Sequence, residues 1–145
     1  MALRKVLVLN GPNLNLLGTR EPEIYGHDTL ADIAARLAAQ GNALGLDVEC
    51  RQTNHEGVLV DWLHEARSSG VHAVLLNAGA YTHTSIALLD AIKATQLKVI
   101  EVHLSDPETR EAFRHLSYVG MVAIDCVKGL GAKSYEVALE RAALL

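Results

Sequence analysis

The chain has 145 residues, enough for one domain, here residues 1–145, to bury a sizeable core. Half of it is hydrophobic, 21% is charged and the formal net charge is -4, which excludes a disordered chain and a broad basic surface for nucleic acid. No apolar segment reaches membrane-spanning length, and the opening MALRKVLVLN runs into a strand pattern, not a signal-peptide core.

The first strand is expected over Lys5–Leu9. A long polar connection follows, Asn10-Gly-Pro-Asn-Leu-Asn through Arg20-Glu-Pro-Glu-Ile-Tyr-Gly26. Such a connection is expected to bind something or to cover a site, and it places Arg20 and Tyr25 on one arm. A free tyrosine has a pKa of roughly 10, so a base at neutral pH needs help from a cation such as Arg20 and from exclusion of water. A packing or surface role is the alternative for a lone tyrosine.

The first long helix is expected over Thr29–Leu44, with Leu30, Ile33, Leu37 and Leu44 on one face, Asp28 or Thr29 as cap, and Gly41 and Gly45 where it loosens and stops. A second strand, Leu46–Arg51, leads to a helix over Glu56–Ser69 whose apolar face is Val58, Trp62, Leu63 and Ala66, closed by Gly70. The third strand is Val71–Leu76 and its helix Thr84–Thr95. The fourth is Leu97–Val102, followed by a short polar turn starting at Asp106-Pro107. The fifth is Met121–Val127, and a last helix spans Ala132–Leu144. Cys50 and Cys126 lie in apolar strand-like runs without CxxC spacing. They read as buried, inert thiols of a reducing cytoplasmic setting.

Near-continuous apolar strands alternating with helices indicate an α/β chain, a three-layer α/β/α sandwich with a five-stranded parallel sheet. In that architecture working groups collect beyond the C-terminal ends of the strands. Three polar clusters fall there: Asn10–Asn13, Asn77–Ser85 and Glu101–Ser105. The segment Gly129-Leu-Gly131-Ala-Lys-Ser134 imitates a phosphate loop, but lacks the third glycine and the later acidic residue of a dinucleotide site, so a tight turn and helix entry is expected.

Glu101 and His103 share one strand face. Glu-x-His can ligate a metal, but no third ligand stands at a recognisable spacing. A histidine beside a carboxylate can also hold a proton and deliver it to a leaving hydroxyl, or simply end a strand in ordinary hydrogen bonds. Asn77 can present donor and acceptor to a ligand. Thr82, Thr84 and Ser85 suit a helix cap, with His83 beside it. Asp90 lies two turns down the same helix face, where it can serve this site or reach a neighbouring subunit. Arg114 is a late cation suited to a polar or anionic substrate.

With these residues assembled, the chain resembles the type II 3-dehydroquinate dehydratases from Val6 to Leu139. The resemblance rests on Asn10-Gly-Pro-Asn-Leu-Asn, Arg20-Glu-Pro-x-x-Tyr-Gly26, Asn54-His-Glu-Gly, Asn77-Ala-Gly-Ala-x-Thr-His-Thr-Ser85, Glu101-Val-His-Leu-Ser105, Arg110-Glu-x-Phe-Arg-His-x-Ser-Tyr118 and Gly129-x-Gly131. It implies a flavodoxin-like fold without flavin, and a cytoplasmic enzyme of the shikimate or quinate pathways needing neither metal nor cofactor. It also implies assembly as a homo-dodecamer of trimers. The implied reaction is an anti dehydration through an enolate: Tyr25 as base, Arg20 lowering its pKa, Asn13 stabilising the enolate through water, and His103 as acid oriented by Glu101. Asn77 and the backbone N–H groups of Leu104 and Ser105 would take the substrate carboxylate. Arg114, His83 and the neighbouring subunit's Asp90 would take the ring hydroxyls. No Schiff-base lysine is implied.

The chain departs from the family pattern at Leu89, where arginine is usual, at Asp106, where asparagine is usual, and at Gly120, Asp125 and Lys128. None of these is a catalytic group. Two other readings stand beside this one: a cofactor-free hydro-lyase or isomerase on a different cyclic hydroxy ketone, and a flavodoxin-like binding or signalling domain.

Overall fold

The computed structural model describes residues 3–19 and 21–145, and of Tyr25 the backbone alone. Arg20 and the Tyr25 side chain therefore lie outside the described residues. Five strands, β1 (Arg4–Asn10), β2 (Leu46–Gln52), β3 (Ala73–Asn77), β4 (Val99–Val102) and β5 (Asp125–Val127), pair in parallel in the order β2-β1-β3-β4-β5. This is the doubly wound, flavodoxin-like order, with β1 and β3 side by side at the point where the winding reverses.

Four helices cover the faces: α2 (Leu30–Leu44) and α5 (Lys133–Ala143) on one side, α3 (Glu56–Ser68) and α4 (Ile86–Thr95) on the other. A short α1 (Pro22–Tyr25) lies within the long polar connection, as does a single 3-10 turn at Leu14–Leu16. Alternate strand residues feed the two cores. Val6 and Val8 pack under α2 and α5, whereas Leu7 and Leu9 pack under α3 and α4. Among the described residues no helix is long and apolar enough to cross a membrane.

Local chemistry explains the element ends. Thr29, not Asp28, caps α2 in a reciprocal box: its hydroxyl accepts from the Asp32 N–H at 3.1 Å, and the Asp32 carboxylate accepts from the Thr29 N–H at 3.0 Å. Gly45 ends the helix at φ 72°. Gly41 does not loosen it. It is buried in mid-helix, where a Cβ would come within 2.5 Å of Val48 Cγ2, so its small size lets α2 seat on β2. Gly129 and Gly131 take φ 79° and 63° in the tight turn that enters α5.

Three other expectations change. The fifth strand is confined to Asp125–Val127, because Met121 and Ile124 are 58% and 52% exposed in a turn. The buried face of α3 is Leu59, Leu63 and Ala66. Val58 and Trp62 sit at its margin, Trp62 under the Arg51 guanidinium at 5.5 Å. Cys50 is half-buried but Cys126 is exposed, since β5 is an edge strand.

Candidate active site

The C-terminal ends of β1 and β3 are in register, Asn10 beside Asn77, and the loops that leave them pack backbone to backbone. The Gly11 N–H donates to the Asn77 carbonyl at 2.8 Å. A Cβ on Gly11 would lie 2.6 Å from the Ala78 carbonyl carbon, and one on Gly79 (φ 59°) would lie 3.2 Å from the Pro12 carbonyl oxygen. Asn13 follows with φ 70°, a left-handed conformation that asparagine tolerates. Its N–H donates to Asn54 Oδ1 at 3.1 Å, and the Asn54 carbonyl accepts from the Tyr81 hydroxyl at 2.8 Å. The Asn54-His-Glu-Gly segment thus buttresses the first loop from the side of β2.

Asn77 is buried and fixed from behind. Its Nδ2 donates to the Tyr135 hydroxyl at 2.8 Å, which in turn donates to Asn10 Oδ1 at 2.6 Å, and its Oδ1 accepts from the Gly79 N–H at 3.2 Å. Burial drives the Tyr135 phenol well above the usual tyrosine range, against a smaller opposing effect of its bond to Asn77, so it stays a neutral donor.

Beyond β4 the chain stays extended. The His103 N–H donates to the Val127 carbonyl at 3.0 Å, and the Gly129 and Gly131 N–H groups donate to the Ser105 and Leu104 carbonyls at 3.1 and 2.9 Å. The N–H groups of Leu104 and Ser105 have no partner among the described residues. Two adjacent donors held this way make a ready anion seat.

His103 and Glu101 form a buried pair, His103 Nε2 donating to Glu101 Oε2 at 2.6 Å with Glu101 only 3% exposed. Burial alone would raise the Glu101 pKa. The hydrogen bond and charge of His103, then the Ser117 and Thr82 hydroxyls, outweigh it and hold the carboxyl near 2. With Nε2 committed to the carboxylate, Nδ1 is the nitrogen His103 has available to the cleft.

An open cleft gathers these groups, with Asn13, Asn77, His83, His103, Ser105 and Arg114 along its wall. Leu104 and Arg110 also line it. His83 Nδ1 donates to the Leu116 carbonyl at 2.7 Å, and burial lowers its pKa, which leaves a neutral ring with Nε2 as acceptor. Arg114 Nε is braced on Glu111 at 3.0 Å. Among the described residues no lysine lines this cleft.

Asp90 is exposed on α4 and absent from the cleft wall of its own chain, so of its two expected roles only the reach to a neighbouring subunit stays open. Lys128, Asp106 and Glu108 form a surface cluster beside the Ser105 turn, with Lys128 Nζ 3.6 Å from Asp106 and 3.2 Å from Glu108. Asp125 pairs with Arg141 at 3.0 Å. Among the described residues no cluster of three metal-ligating side chains occurs.

Sequence reasoning missed Thr82 and Ser117 as partners of Glu101, Asn10 and Tyr135 as partners of Asn77, and Arg110 as a wall residue. Of the expected caps only Ser85 caps α4, accepting from the Leu88 N–H at 2.9 Å. Thr82, fully buried, donates instead to Glu101 Oε2 at 3.0 Å. The motif Arg110-Glu-x-Phe-Arg-His-x-Ser-Tyr118 held the signal for Arg110 and Ser117.

Comparison with known proteins gives the family. The profile of the family described as "Dehydroquinase class II" matches residues 4–143. The 3-dehydroquinate dehydratase of Hyphomonas neptunium is 59% identical over 139 residues, covering 96% of this chain and 92% of that protein. The 3-dehydroquinate dehydratase 2 of Pseudomonas putida is 55% identical over 140 residues, covering 97% and 93%. The crystal structure of type II dehydroquinase from Propionibacterium acnes superposes with a TM-score of 0.94 at 46% identity, covering 98% of this chain and 97% of the other.

Proposed function

The chain belongs to the class II dehydroquinase family, and from that premise we propose that it dehydrates 3-dehydroquinate to 3-dehydroshikimate as one catalytic domain. The observation that carries the reading is the buried Glu101–His103 pair opening onto a cleft that also offers Asn77 and the two unpartnered N–H groups of Leu104 and Ser105.

The substrate carboxylate sits on those N–H groups and on Asn77, which brings the ring beside His103. Tyr25, as phenolate, takes the axial proton alpha to the ketone, and the C–H electrons pass to the carbonyl oxygen to give an enolate. Asn13 stabilises that oxygen through a water. The enolate then collapses, the carbonyl and the ring C=C form, and the C–O bond to the tertiary hydroxyl breaks toward His103. His103 supplies the proton that makes water of it. Arg20 keeps the Tyr25 phenol acidic enough to cycle. His83, Arg114 and Asp90 of a neighbouring copy hold the ring hydroxyls. Splitting the reaction at an enolate means that a poor leaving group departs only after the acid is in place.

The enzyme works in the cytoplasm, in aromatic synthesis or quinate breakdown, without metal or cofactor, as a dodecamer of trimers. The exposed apolar side chains Phe113, Leu116, Met121, Ile124 and Leu130 support an assembled form, since a single chain leaves them in water. The test is direct. Purified protein with 3-dehydroquinate should raise the near-ultraviolet absorbance of an enone, in the presence of a chelator and after borohydride treatment. A folded sample that leaves the absorbance flat rules the substrate out. A native mass near that of one chain rules the assembly out.

A further inference from the structure

We propose that the Thr82 and Ser117 hydroxyls are a positioning pair that carries the Glu101 charge at the moment His103 gives up its proton, and so sets the rate of leaving-group protonation. The inference rests on the reading of His103 as the acid.

Three donors converge on a single oxygen. His103 Nε2 reaches Glu101 Oε2 at 2.6 Å, Thr82 Oγ1 reaches it at 3.0 Å, and the Ser117 hydroxyl makes a short hydrogen bond to it. The two hydroxyls come from separate segments, 19 and 16 residues from Glu101, and lie 2.7 Å from each other; with one hydrogen apiece, Ser117 gives its hydrogen to Oε2 and the Thr82 hydrogen is shared between Oε2 and Ser117 Oγ. Ser117 is polarised further, because its Oγ accepts from the Gly120 N–H at 3.0 Å and its hydrogen is directed to the carboxylate. A Cβ at position 120 would stand 2.9 Å from Glu101 Oε1, so glycine there leaves the second oxygen its room.

Before the proton moves, the imidazolium compensates the buried carboxylate. After it moves, His103 is neutral and Glu101 would be a buried anion with its counter-charge gone, a costly state. The other titratable or charged groups around the pair cannot replace that charge cheaply. The Cys126 thiol from β5, half-covered although the residue as a whole is exposed, is pushed up to about 12 by that covering and by the charge and hydrogen bond of Glu101, so it stays neutral, and His83 is held neutral, mainly by burial. Arg114, His115, Glu108 and Lys128 line a second hollow together with the pair, and Lys128 is engaged with Asp106 and Glu108. The two hydroxyls already point at Oε2 and need no rearrangement, so they stabilise the product of proton transfer more than its reactant.

The experiment compares steady-state turnover of 3-dehydroquinate and its pH profile in Ser117→Ala, Thr82→Val, Thr82→Ser and His103→Ala. Thr82→Val keeps the shape of a fully buried side chain, and Ser117 is only half-buried, so both variants retain the fold by circular dichroism. Each should lower kcat about tenfold, the effect of one charge-assisted hydrogen bond, while KM changes less than about twofold. The pH profile should change with it, because these hydroxyls help to hold the Glu101 carboxyl near 2. Thr82→Ser, which keeps the hydroxyl, should stay near wild type. If Ser117→Ala and Thr82→Val both keep kcat within about twofold while His103→Ala loses at least a hundredfold, the inference is overturned and the acid assignment stands. If His103→Ala stays active, the acid assignment falls and the inference falls with it.

Discussion

The side-chain amide of Asn77 donates to the phenol of Tyr135, 58 residues away in sequence, across 2.8 Å. The same phenol donates to Asn10, so one fully buried hydroxyl ties the ends of two neighbouring strands to the last helix. The cleft face of Asn77 is thereby set by a residue that never meets the cleft.

Tyr135→Phe removes that hydroxyl and strands two buried amides, Asn10 Oδ1 losing its donor and Asn77 Nδ2 its acceptor. The expected loss of stability is about 1–3 kcal/mol. KM for 3-dehydroquinate should rise on the order of tenfold with a smaller change in kcat, because Asn77 is the residue proposed to hold the substrate carboxylate. Denaturant unfolding and steady-state kinetics check the two halves separately.

Glu101 gives a pH-dependent stability with a definite sign. Its folded pKa, about 2, lies below the ordinary 4.5. The stabilisation is therefore complete above the ordinary value and is lost as pH falls from there toward the folded value, by on the order of 2–3 kcal/mol. Glu101→Gln should unfold more easily at neutral pH, and its stability should fall less between about pH 5 and pH 3 than that of wild type. Chemical denaturation across that range, at constant ionic strength, is the measurement. Equal acid sensitivity in the two proteins would contradict the ion pair.

Tyr25→Phe deletes one oxygen, and turnover should fall roughly 10²–10⁴-fold with the far-ultraviolet spectrum unchanged. Arg20→Gln should act differently. If a guanidinium lowers the phenol's pKa, its loss raises that pKa, and the acidic limb of the rate profile moves to higher pH while activity returns in alkali. A profile that only shrinks, without moving, would remove Arg20 from the base.

Gly11→Ala tests the contact between the two loops. The new methyl would meet the Ala78 backbone carbonyl, which has no rotamer by which to yield. The expected cost is about 1–3 kcal/mol, with activity lost as the Asn13 and Asn77 loops separate. Gly57→Ala on α3 meets nothing within 4 Å and should be neutral or stabilise the helix by about 0.5–1 kcal/mol. Thermal unfolding of the two variants gives the contrast.

Much of this was legible in the sequence. Runs such as Val6–Leu9 and Val74–Leu76 announce strands covered on both faces, and once the sheet is parallel its C-terminal edge must collect Asn13, Asn77 and His103. Legibility ends where a residue's partner is distant. Thr82 looks like a helix cap because local hydrogen bonding is all a sequence displays, yet its partner is Glu101, on β4. Tyr135 reads as one more apolar position of α5. Met121 and Ile124 read as strand because hydrophobicity does not distinguish a buried strand from an exposed turn.

Lys128 and Asp106 carry a consequence for inhibitors of this enzyme. After the Ser105 turn, proposed above to seat the substrate carboxylate, this chain presents an acid already matched by its own base. A ligand grown outward from the carboxylate seat would therefore encounter a zwitterionic rim here. An ammonium or guanidinium arm set to displace Lys128 from Asp106 would gain affinity for this protein that an amide at the same place could not return, making selectivity within the family a matter of one exchangeable ion pair.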